Sequence, residues 1–313
     1  MRRIVSVSLG SSSGDKRCEA EYLGEHFSLE RIGTNGDLDR AIRMIGELSG
    51  RVEVIGLGGI DLYLVAAGRR YTVRDALRMA RAAGDTPVVD GSALKATWEP
   101  EVVRTLVTSG RLHPSLASGR LEDLKVLLPS AVDRFGVAET FAALGADVIF
   151  GDLIFALGVP VRINRVWQLS ALARTLLPLL CRLPFRLIYP TGDKQDTTTP
   201  RYASLFRWAD VIAGDKHFVR RFMPATNGRE GALRGKTLLT NTVRRSDVEE
   251  FRARGLSRLI TTTPVLEGET LGTNAMQGVI VSLLGKRPEQ IADAEYIDMA
   301  RRIGWEPWVV DIA

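Results

Sequence analysis

Cysteine and histidine are scarce in this sequence. Two cysteines, Cys18 and Cys181, and three histidines occur among 313 residues. Two cysteines so far apart in the chain do not indicate a disulfide framework or a cysteine-rich zinc site. No histidine stands at metal-ligand spacing from a cysteine, aspartate or glutamate. The sequence therefore predicts no metal site.

Long apolar runs and an excess of one charge are also missing. Residues 169–189 are the most apolar, but Arg174, Arg182 and two prolines interrupt them, so no membrane span is predicted. The apolar run at residues 4–9 is too short for a signal peptide. The 42 basic residues are scattered and offset by 37 acidic ones, whereas nucleic-acid binding favours a basic stripe. We expect a cytoplasmic protein that binds a small anionic metabolite, with neither nucleic acid nor membrane as partner. Assembly into a homo-oligomer stays open.

Signatures of several large enzyme classes are absent. The chain has no Gly-x-Ser-x-Gly elbow and no Walker loop. The glycines of residues 56–59 follow a predicted strand, but the third glycine of a dinucleotide fingerprint is missing and residues 61–65 are typical of a strand. This segment predicts a tight turn that places Asp61 in a cleft.

One tripeptide, Gly-Asp-Lys, occurs three times. The copies are Gly14-Asp15-Lys16, Gly192-Asp193-Lys194 and Gly214-Asp215-Lys216. Each copy follows an apolar run that predicts a strand, and strand ends in open α/β sheets are where ligands bind. The repeats therefore indicate a polar ligand pocket, although a solvated turn explains any single copy equally well. Whether the three copies share one pocket stays open.

Apolar segments typical of strands alternate with segments of helical periodicity along the chain. Asp37 is predicted to cap a helix over residues 38–48, and Asn274 a helix that ends at Leu284. Such alternation predicts an α/β protein of two lobes with mainly parallel sheets, the C-terminal lobe being Rossmann-like. A change of character near residues 160–182 places the lobes at 1–165 and 166–313.

Four side chains are the catalytic candidates. Lys95 stands beside the polar segment Asp90-Gly91-Ser92 and is a candidate base if burial lowers its pKa; a surface lysine is the alternative. Asp61, which the predicted tight turn places in a cleft, is a separate candidate for the base. Asp193 and Lys194 belong to a polar run between a strand and a helix, which predicts a binding loop whose lysine neutralises a carboxylate or phosphate.

Two segments of the second half resemble the cofactor domain of shikimate and quinate dehydrogenases. Residues 236–254 look like that domain's second strand and helix, and residues 259–264 are similar to its Asn-Ala-Thr-Pro strand end. The whole chain also looks like a bacterial group labelled quinate 5-dehydrogenase. The positions that match the family's cofactor-binding residues are Gly214, Asp215, Lys216, Asn241, Thr242, Arg244, Arg245, Thr262 and Pro264.

The resemblance implies NADP or NAD as cofactor, with Arg244 and Arg245 near the adenosine 2′-phosphate. The chain departs from the family in two places. A single glycine, Gly214, stands where the glycine-rich loop belongs, and Ser6 and Ser8 are a poor counterpart of the substrate-binding Ser-x-Ser motif.

The implied function is an NAD(P)-linked dehydrogenase acting on a small hydroxylated carboxylic acid such as quinate or shikimate. Two alternatives stay open at this point. One is a lyase, isomerase or transferase that acts on an anionic metabolite without a nicotinamide. The other is a non-catalytic sensor of a small ligand.

Overall fold

The structure is a computed structural model that describes residues 1–118, 121–185, 199–224, 231–266 and 268–312. The second Gly-Asp-Lys copy, with the candidates Asp193 and Lys194, lies outside the described residues.

The described strands and α-helices alternate along most of the chain. The strands are β1 (Arg2–Ser8), β2 (Lys16–Tyr22), β3 (Glu25–Gly33), β4 (Val54–Gly58), β5 (Tyr63–Ala66), β6 (Arg69–Thr72), β7 (Val88–Val89), β8 (Lys125–Leu128), β9 (Asp147–Phe150), β10 (Val211–Ala213), β11 (Thr237–Thr240), β12 (Arg258–Thr261), β13 (Val265–Leu266), β14 (Glu269–Thr270) and β15 (Trp308–Asp311). The helices are α1 (Leu38–Leu48), α2 (Arg74–Ala82), α3 (Ser92–Ala96), α4 (Trp98–Thr108), α5 (Phe135–Ala143), α6 (Val166–Leu180), α7 (Ala203–Trp208), α8 (Lys216–Phe222), α9 (Arg245–Ala253), α10 (Thr273–Leu284) and α11 (Asp293–Arg302).

The chain folds into two compact units, each built from three segments. Unit 1 comprises Met1–Trp98, Arg174–Gln195 and Leu271–Trp305, and unit 2 comprises Glu99–Ala173, Asp196–Thr270 and Glu306–Ala313. The sequence predicts two uninterrupted lobes, 1–165 and 166–313, so the structure differs in how the chain is shared between the units. Two of the crossings fall inside α4 and α6. A crossing within a helix leaves no flexible linker in the sequence to mark it.

Unit 1 is organised around a five-stranded sheet of order β2-β3-β1-β4-β7. The strands β3, β1, β4 and β7 are parallel, and β2 pairs antiparallel with β3 at the edge. The residues of β1 from Ile4 onward are buried, as a central parallel strand requires. β5 and β6 pair antiparallel as a separate two-stranded sheet.

Unit 2 contains a six-stranded sheet of order β15-β12-β11-β10-β8-β9. Only its edge strand β15 is antiparallel. In chain order the five parallel strands are arranged 2-1-3-4-5, the order of doubly wound sheets of the flavodoxin type. The α/β class with mainly parallel sheets is therefore confirmed. From β8 the chain first adds β9 on one side, and it then crosses to add β10 on the other side of β8. The topological switch point therefore lies between β8 and β10.

The two predicted helix caps differ in outcome. Asp37 caps α1 by accepting a hydrogen bond from the Arg40 N–H at 2.9 Å, as predicted. The prediction for Asn274 is wrong, because Gly272 is the N-cap of α10 and Asn274 lies inside the helix. Its amide nitrogen donates instead to the Ser6 hydroxyl at 2.6 Å, so the side chain makes a tertiary contact and does not cap the helix.

Within the described ranges, no helix has the length and apolar character needed to cross a membrane.

Candidate functional site

The structure brings together two of the predicted catalytic residues in unit 1. Asp61 lies three residues beyond the end of β4, and Lys95 lies on α3, which follows β7. The Lys95 ammonium nitrogen is 2.6 Å from an Asp61 carboxylate oxygen, and the two side chains are 15% and 11% exposed. This is a charge-assisted hydrogen bond that keeps some access to solvent. The arrangement can donate a proton to, or accept one from, a bound hydroxyl group.

A third carboxylate, that of Asp90, positions this pair. One of its oxygens accepts the backbone N–H groups of Leu62 and Tyr63, both at 2.8 Å, directly after Asp61. The other oxygen accepts the N–H of Ser92 at 3.0 Å and its hydroxyl at 2.6 Å. Asp90 therefore ties the loop that carries the acid to the start of the helix that carries the lysine.

Cys181 lies near the Lys95–Asp61 pair but is not a nucleophile. Burial, with a smaller contribution from the negative charge of Asp61, raises the pKa of the Cys181 thiol to about 11. A thiol with such a pKa stays protonated at neutral pH, and the thiolate is the reactive form.

The first Gly-Asp-Lys copy, in unit 1, has a structural role. The Asp15 carboxylate accepts the Gly33 N–H at 2.6 Å and a guanidinium N–H of Arg31 at 3.0 Å. It thereby ties the loop after β1 to the end of β3. A Cβ atom on Gly33 would lie 2.6 Å from the Ser11 carbonyl oxygen, so the loop packs directly on the strand end.

A pocket in unit 2 lies at the switch point of its sheet. Its cavity volume is only about 10 Å³, roughly the room that one water molecule needs, and about 220 Å³ when space open to solvent is included. The lining residues are Glu99, Arg134, Val137, Ala213, Gly214, Leu239, Thr240, Asn241 and Thr262. Three of them, Gly214, Asn241 and Thr262, are predicted cofactor-binding residues. The carboxyl ends of parallel strands at a switch point form the usual ligand crevice of this architecture.

Sequence reasoning missed the two charged residues of this pocket. Arg134 donates to the Glu99 carboxylate at 2.9 Å, and both side chains are 4% exposed. The carboxylates of Asp133 and Asp215 approach the same guanidinium, at 3.5 Å and 3.9 Å. In the sequence Glu99 is an ordinary acid of a first helical turn, and nothing beside Arg134 shows that it is buried. The charge around this guanidinium is therefore predominantly negative.

The third Gly-Asp-Lys copy is held by its own contacts. Asp215 caps α8 by accepting the N–H groups of His217 and Phe218, at 2.9 Å and 3.2 Å. The Lys216 ammonium pairs with the buried Asp247 carboxylate at 2.5 Å. A dinucleotide pyrophosphate uses the free N–H groups at a helix start. At α8 a carboxylate already occupies them.

Burial is the largest single influence on the pKa values of Lys216, His217 and Asp247. Desolvation lowers the pKa of Lys216 and that of His217, although nearby aspartates oppose both shifts. Burial also opposes ionisation of Asp247, but the charge and hydrogen bond of Lys216 hold the pKa of that carboxyl below its usual value. The Nδ1 atom of His217 has no hydrogen-bond partner among the residues that the structure describes.

The other predicted cofactor-binding residues lie outside the lining of the pocket. Arg244 immediately precedes α9, and its N–H donates to Asp247 at 2.7 Å. Arg245 is exposed at the first position of that helix, and Thr242 and Pro264 follow the ends of β11 and β12. The assignment of these residues to a cofactor stays a prediction.

Fold and site define an α/β protein of two units with an acid–base pair in one and a switch-point pocket in the other. Residues 93–312 match the family described as Domain of unknown function (DUF8754), and residues 3–90 match Domain of unknown function (DUF8753). The chain belongs to the DUF8754 family. No curated protein matches the sequence.

Solved structures resemble the chain only distantly. A solute-binding protein of an ABC transporter from Burkholderia multivorans is 12% identical, with 99% of each chain covered and a TM-score of 0.38. A D-isomer specific 2-hydroxyacid dehydrogenase from Lactobacillus delbrueckii ssp. bulgaricus, complexed with NAD, is 11% identical, with 96% of this chain and 94% of that chain covered and a TM-score of 0.26. Scores this low carry no argument about function.

Proposed function

We propose that the chain is an enzyme that moves a proton at a hydroxyl group of a small hydroxylated carboxylic acid, as an NAD(P)-linked dehydrogenase does. The Lys95–Asp61 pair carries this proposal, because its 2.6 Å hydrogen bond lies beyond the strand ends of unit 1 and keeps some exposure. The resemblance of residues 236–254 and 259–264 to a cofactor domain implies a nicotinamide dinucleotide as cofactor. A bound nicotinamide would supply hydride chemistry.

The protein's own residues act on the proton. The Asp61 carboxylate accepts the proton of a substrate hydroxyl, while the Lys95 ammonium donates a hydrogen bond to the oxygen as negative charge develops. Asp90 keeps both groups in place through its four hydrogen bonds. Because the pair is set before substrate arrives, little reorganisation is needed during the reaction.

The residues of unit 2 fit a nicotinamide dinucleotide unevenly. The guanidinium groups of Arg244 and Arg245, at the start of α9, suit a phosphate monoester such as the adenosine 2′-phosphate. The start of α8 does not suit the pyrophosphate, because the Asp215 carboxylate accepts its N–H groups. This observation favours the second candidate, a lyase, isomerase or transferase that works on the same class of substrate without a nicotinamide.

Substitution of the acid–base pair tests the enzymatic role. We expect purified protein to reduce NADP or NAD with quinate or shikimate, and Lys95→Ala or Asp61→Asn to lower kcat by about 10²- to 10⁴-fold. The matched control is Lys286→Ala, which breaks the more exposed pair with Glu295, a contact of 2.5 Å, and should leave kcat unchanged. Wild-type rates in both pair variants would exclude this role of the pair.

A second measurement distinguishes the two candidate functions. Product analysis by NMR of the same acids without nicotinamide shows whether they are converted. Conversion that needs no nicotinamide, and that Lys95→Ala abolishes, supports the second candidate. Conversion that requires NADP or NAD supports the first.

A further inference from the structure

Acidic residues are missing from a long stretch of this chain. Between Asp152 and Asp193 there are 40 residues with five arginines and no aspartate or glutamate. The chain as a whole carries 37 acidic residues in 313, so a stretch of this length would ordinarily hold four or five. The charge of this stretch is therefore entirely positive.

Part of this stretch exposes large apolar side chains in unit 2. Leu157, Val159, Val161 and Trp167 are 50%, 42%, 52% and 70% exposed. Two exposed arginines lie among them in residues 157–167, and neither forms an ion pair within the described residues. The patch, called here the loop patch, consists of Leu157, Val159, Val161, Arg162, Arg165 and Trp167.

Two backbone contacts hold the loop patch in place. Near its start, the Val159 N–H donates to the Leu153 carbonyl oxygen at 2.9 Å. In its middle, the buried Ile163 forms a bridge to Phe150 at the end of β9, with an N–H···O distance of 2.7 Å. These contacts fix the backbone that carries the exposed apolar side chains. Several apolar side chains together on one surface mark an interaction site more often than a scattered few do.

The positive charge of the loop patch distinguishes between two possible partners, a second copy of the chain and an anionic surface. Symmetric pairing of two copies through the loop patch would bring Arg162 and Arg165 close to their own counterparts, which is unfavourable. An anionic partner instead neutralises both arginines. A segment with exposed tryptophan and aliphatic side chains suits insertion into the boundary between lipid headgroups and acyl chains, where tryptophan is enriched.

We propose that the loop patch binds the surface of an anionic lipid bilayer. The aliphatic side chains and Trp167 insert to headgroup depth, while Arg162 and Arg165 contact anionic headgroups. This is binding to the surface and involves no membrane span. The expectation that no membrane is a partner rests on the lack of an apolar span, which has no bearing on surface binding. The proposal is independent of the Lys95–Asp61 chemistry.

Vesicle co-sedimentation of the full chain tests the proposal. We expect binding to phosphatidylcholine vesicles that contain phosphatidylserine and much weaker binding to pure phosphatidylcholine. Each arginine near an anionic surface contributes on the order of fivefold, so Arg162→Gln/Arg165→Gln should lower the affinity by roughly 30-fold. Trp167→Ser should also weaken binding and should remove the blue shift of tryptophan fluorescence that vesicles cause in the wild-type protein.

Matched control variants distinguish binding through the loop patch from binding through any exposed arginine or apolar side chain. Arg40→Gln/Arg43→Gln removes the same charge from the exposed face of α1, and Leu179→Ser removes a leucine that is 61% exposed outside the patch. Both should bind anionic vesicles nearly as the wild type does. No sedimentation with anionic vesicles, equal binding to neutral ones, or equal losses in the control variants would overturn the proposal. A wild-type dimer that Trp167→Ser dissociates would instead assign the patch to a second copy.

Discussion

At the scale of single residues, opposite charges in close pairs are the main feature of both units. Lys95–Asp61 keeps some exposure, whereas Lys216–Asp247 and Arg134–Glu99 are almost fully enclosed. Enclosed pairs of this kind lose about as much in desolvation as they gain in attraction. They therefore specify the local structure, and the partly exposed pair is the one that can reach a substrate.

Protonation of the buried Asp152 carboxylate should make the free energy of unfolding depend on pH. Its two carboxylate oxygens accept the N–H groups of Ala131 and Val132 at 3.1 Å and 3.0 Å, but burial dominates and raises the pKa of Asp152 to about 6. The folded state therefore holds a proton that the unfolded state releases near pH 4. The free energy of unfolding should fall by about 3 kcal/mol in total as the pH rises from about 3 to about 7, most of it between pH 4 and 6.

Urea unfolding at several pH values, compared with Asp152→Asn, isolates this contribution. The asparagine cannot titrate, so the wild type should lose stability relative to the variant between pH 4 and 6 and keep a constant difference above pH 7. A difference that does not change with pH would show that Asp152 keeps an ordinary pKa in the folded state.

The two arginines at the start of α9 carry a prediction about cofactor choice. If they contact the adenosine 2′-phosphate, Arg244→Ala and Arg245→Ala should each weaken NADP by roughly 10- to 100-fold, the range for charge-assisted hydrogen bonds. The affinity for NAD should hardly change, because NAD lacks that phosphate. Isothermal titration with both nucleotides measures the contrast, and equal effects on the two would remove the assignment.

At the scale of elements, position in the sheet decides how well a sequence segment predicts its structure. The central strand β1 is apolar and easily predicted. The edge strand β2 is charged at four of its seven positions and gives no such signal. Charged edge strands are common because they discourage pairing with other chains. β2 pairs with β3 along its whole length, and that partner determines its structure.

Two helical glycines provide a matched test of packing. A Cβ atom on Gly46 of α1 would have no heavy atom nearer than 3.9 Å, so Gly46→Ala should stabilise the protein by about 1 kcal/mol through helix propensity. On Gly278 of α10 it would lie 2.7 Å from the Cγ2 atom of Ile4 in β1. The clash should outweigh the same gain, and Gly278→Ala should destabilise by about 1–2 kcal/mol.

Thermal or urea unfolding of the two glycine variants gives the comparison directly. Stabilisation by both substitutions would mean that α10 can move away from the sheet of unit 1 without cost. Opposite signs would establish that Gly278 is required for the close approach of helix and strand.

At the scale of the whole molecule, ligand binding should be visible as stabilisation. A ligand present at about 100 times its dissociation constant adds roughly 2.7 kcal/mol, which corresponds to several degrees in Tm for a chain of this size. We expect such a shift with NADP or with a hydroxylated carboxylic acid. Differential scanning fluorimetry with a panel of acids and nucleotides measures it, and a shift with acids but with neither nicotinamide would support the second candidate function.

The sequence by itself determined the alternation of strands and helices, because apolar periodicity reflects which faces a segment must bury. It also marked Asp61 as a candidate, since it follows a glycine-rich strand end, and Lys95, since it stands beside a polar segment after a strand. It did not show that they form a pair, or that Glu99 and Arg134 line the pocket of unit 2. Those contacts join residues far apart in the chain, and only the order of strands in each sheet brings them together. The same holds for the units, because two of the crossings between them lie within helices whose sequence carries no sign of a boundary.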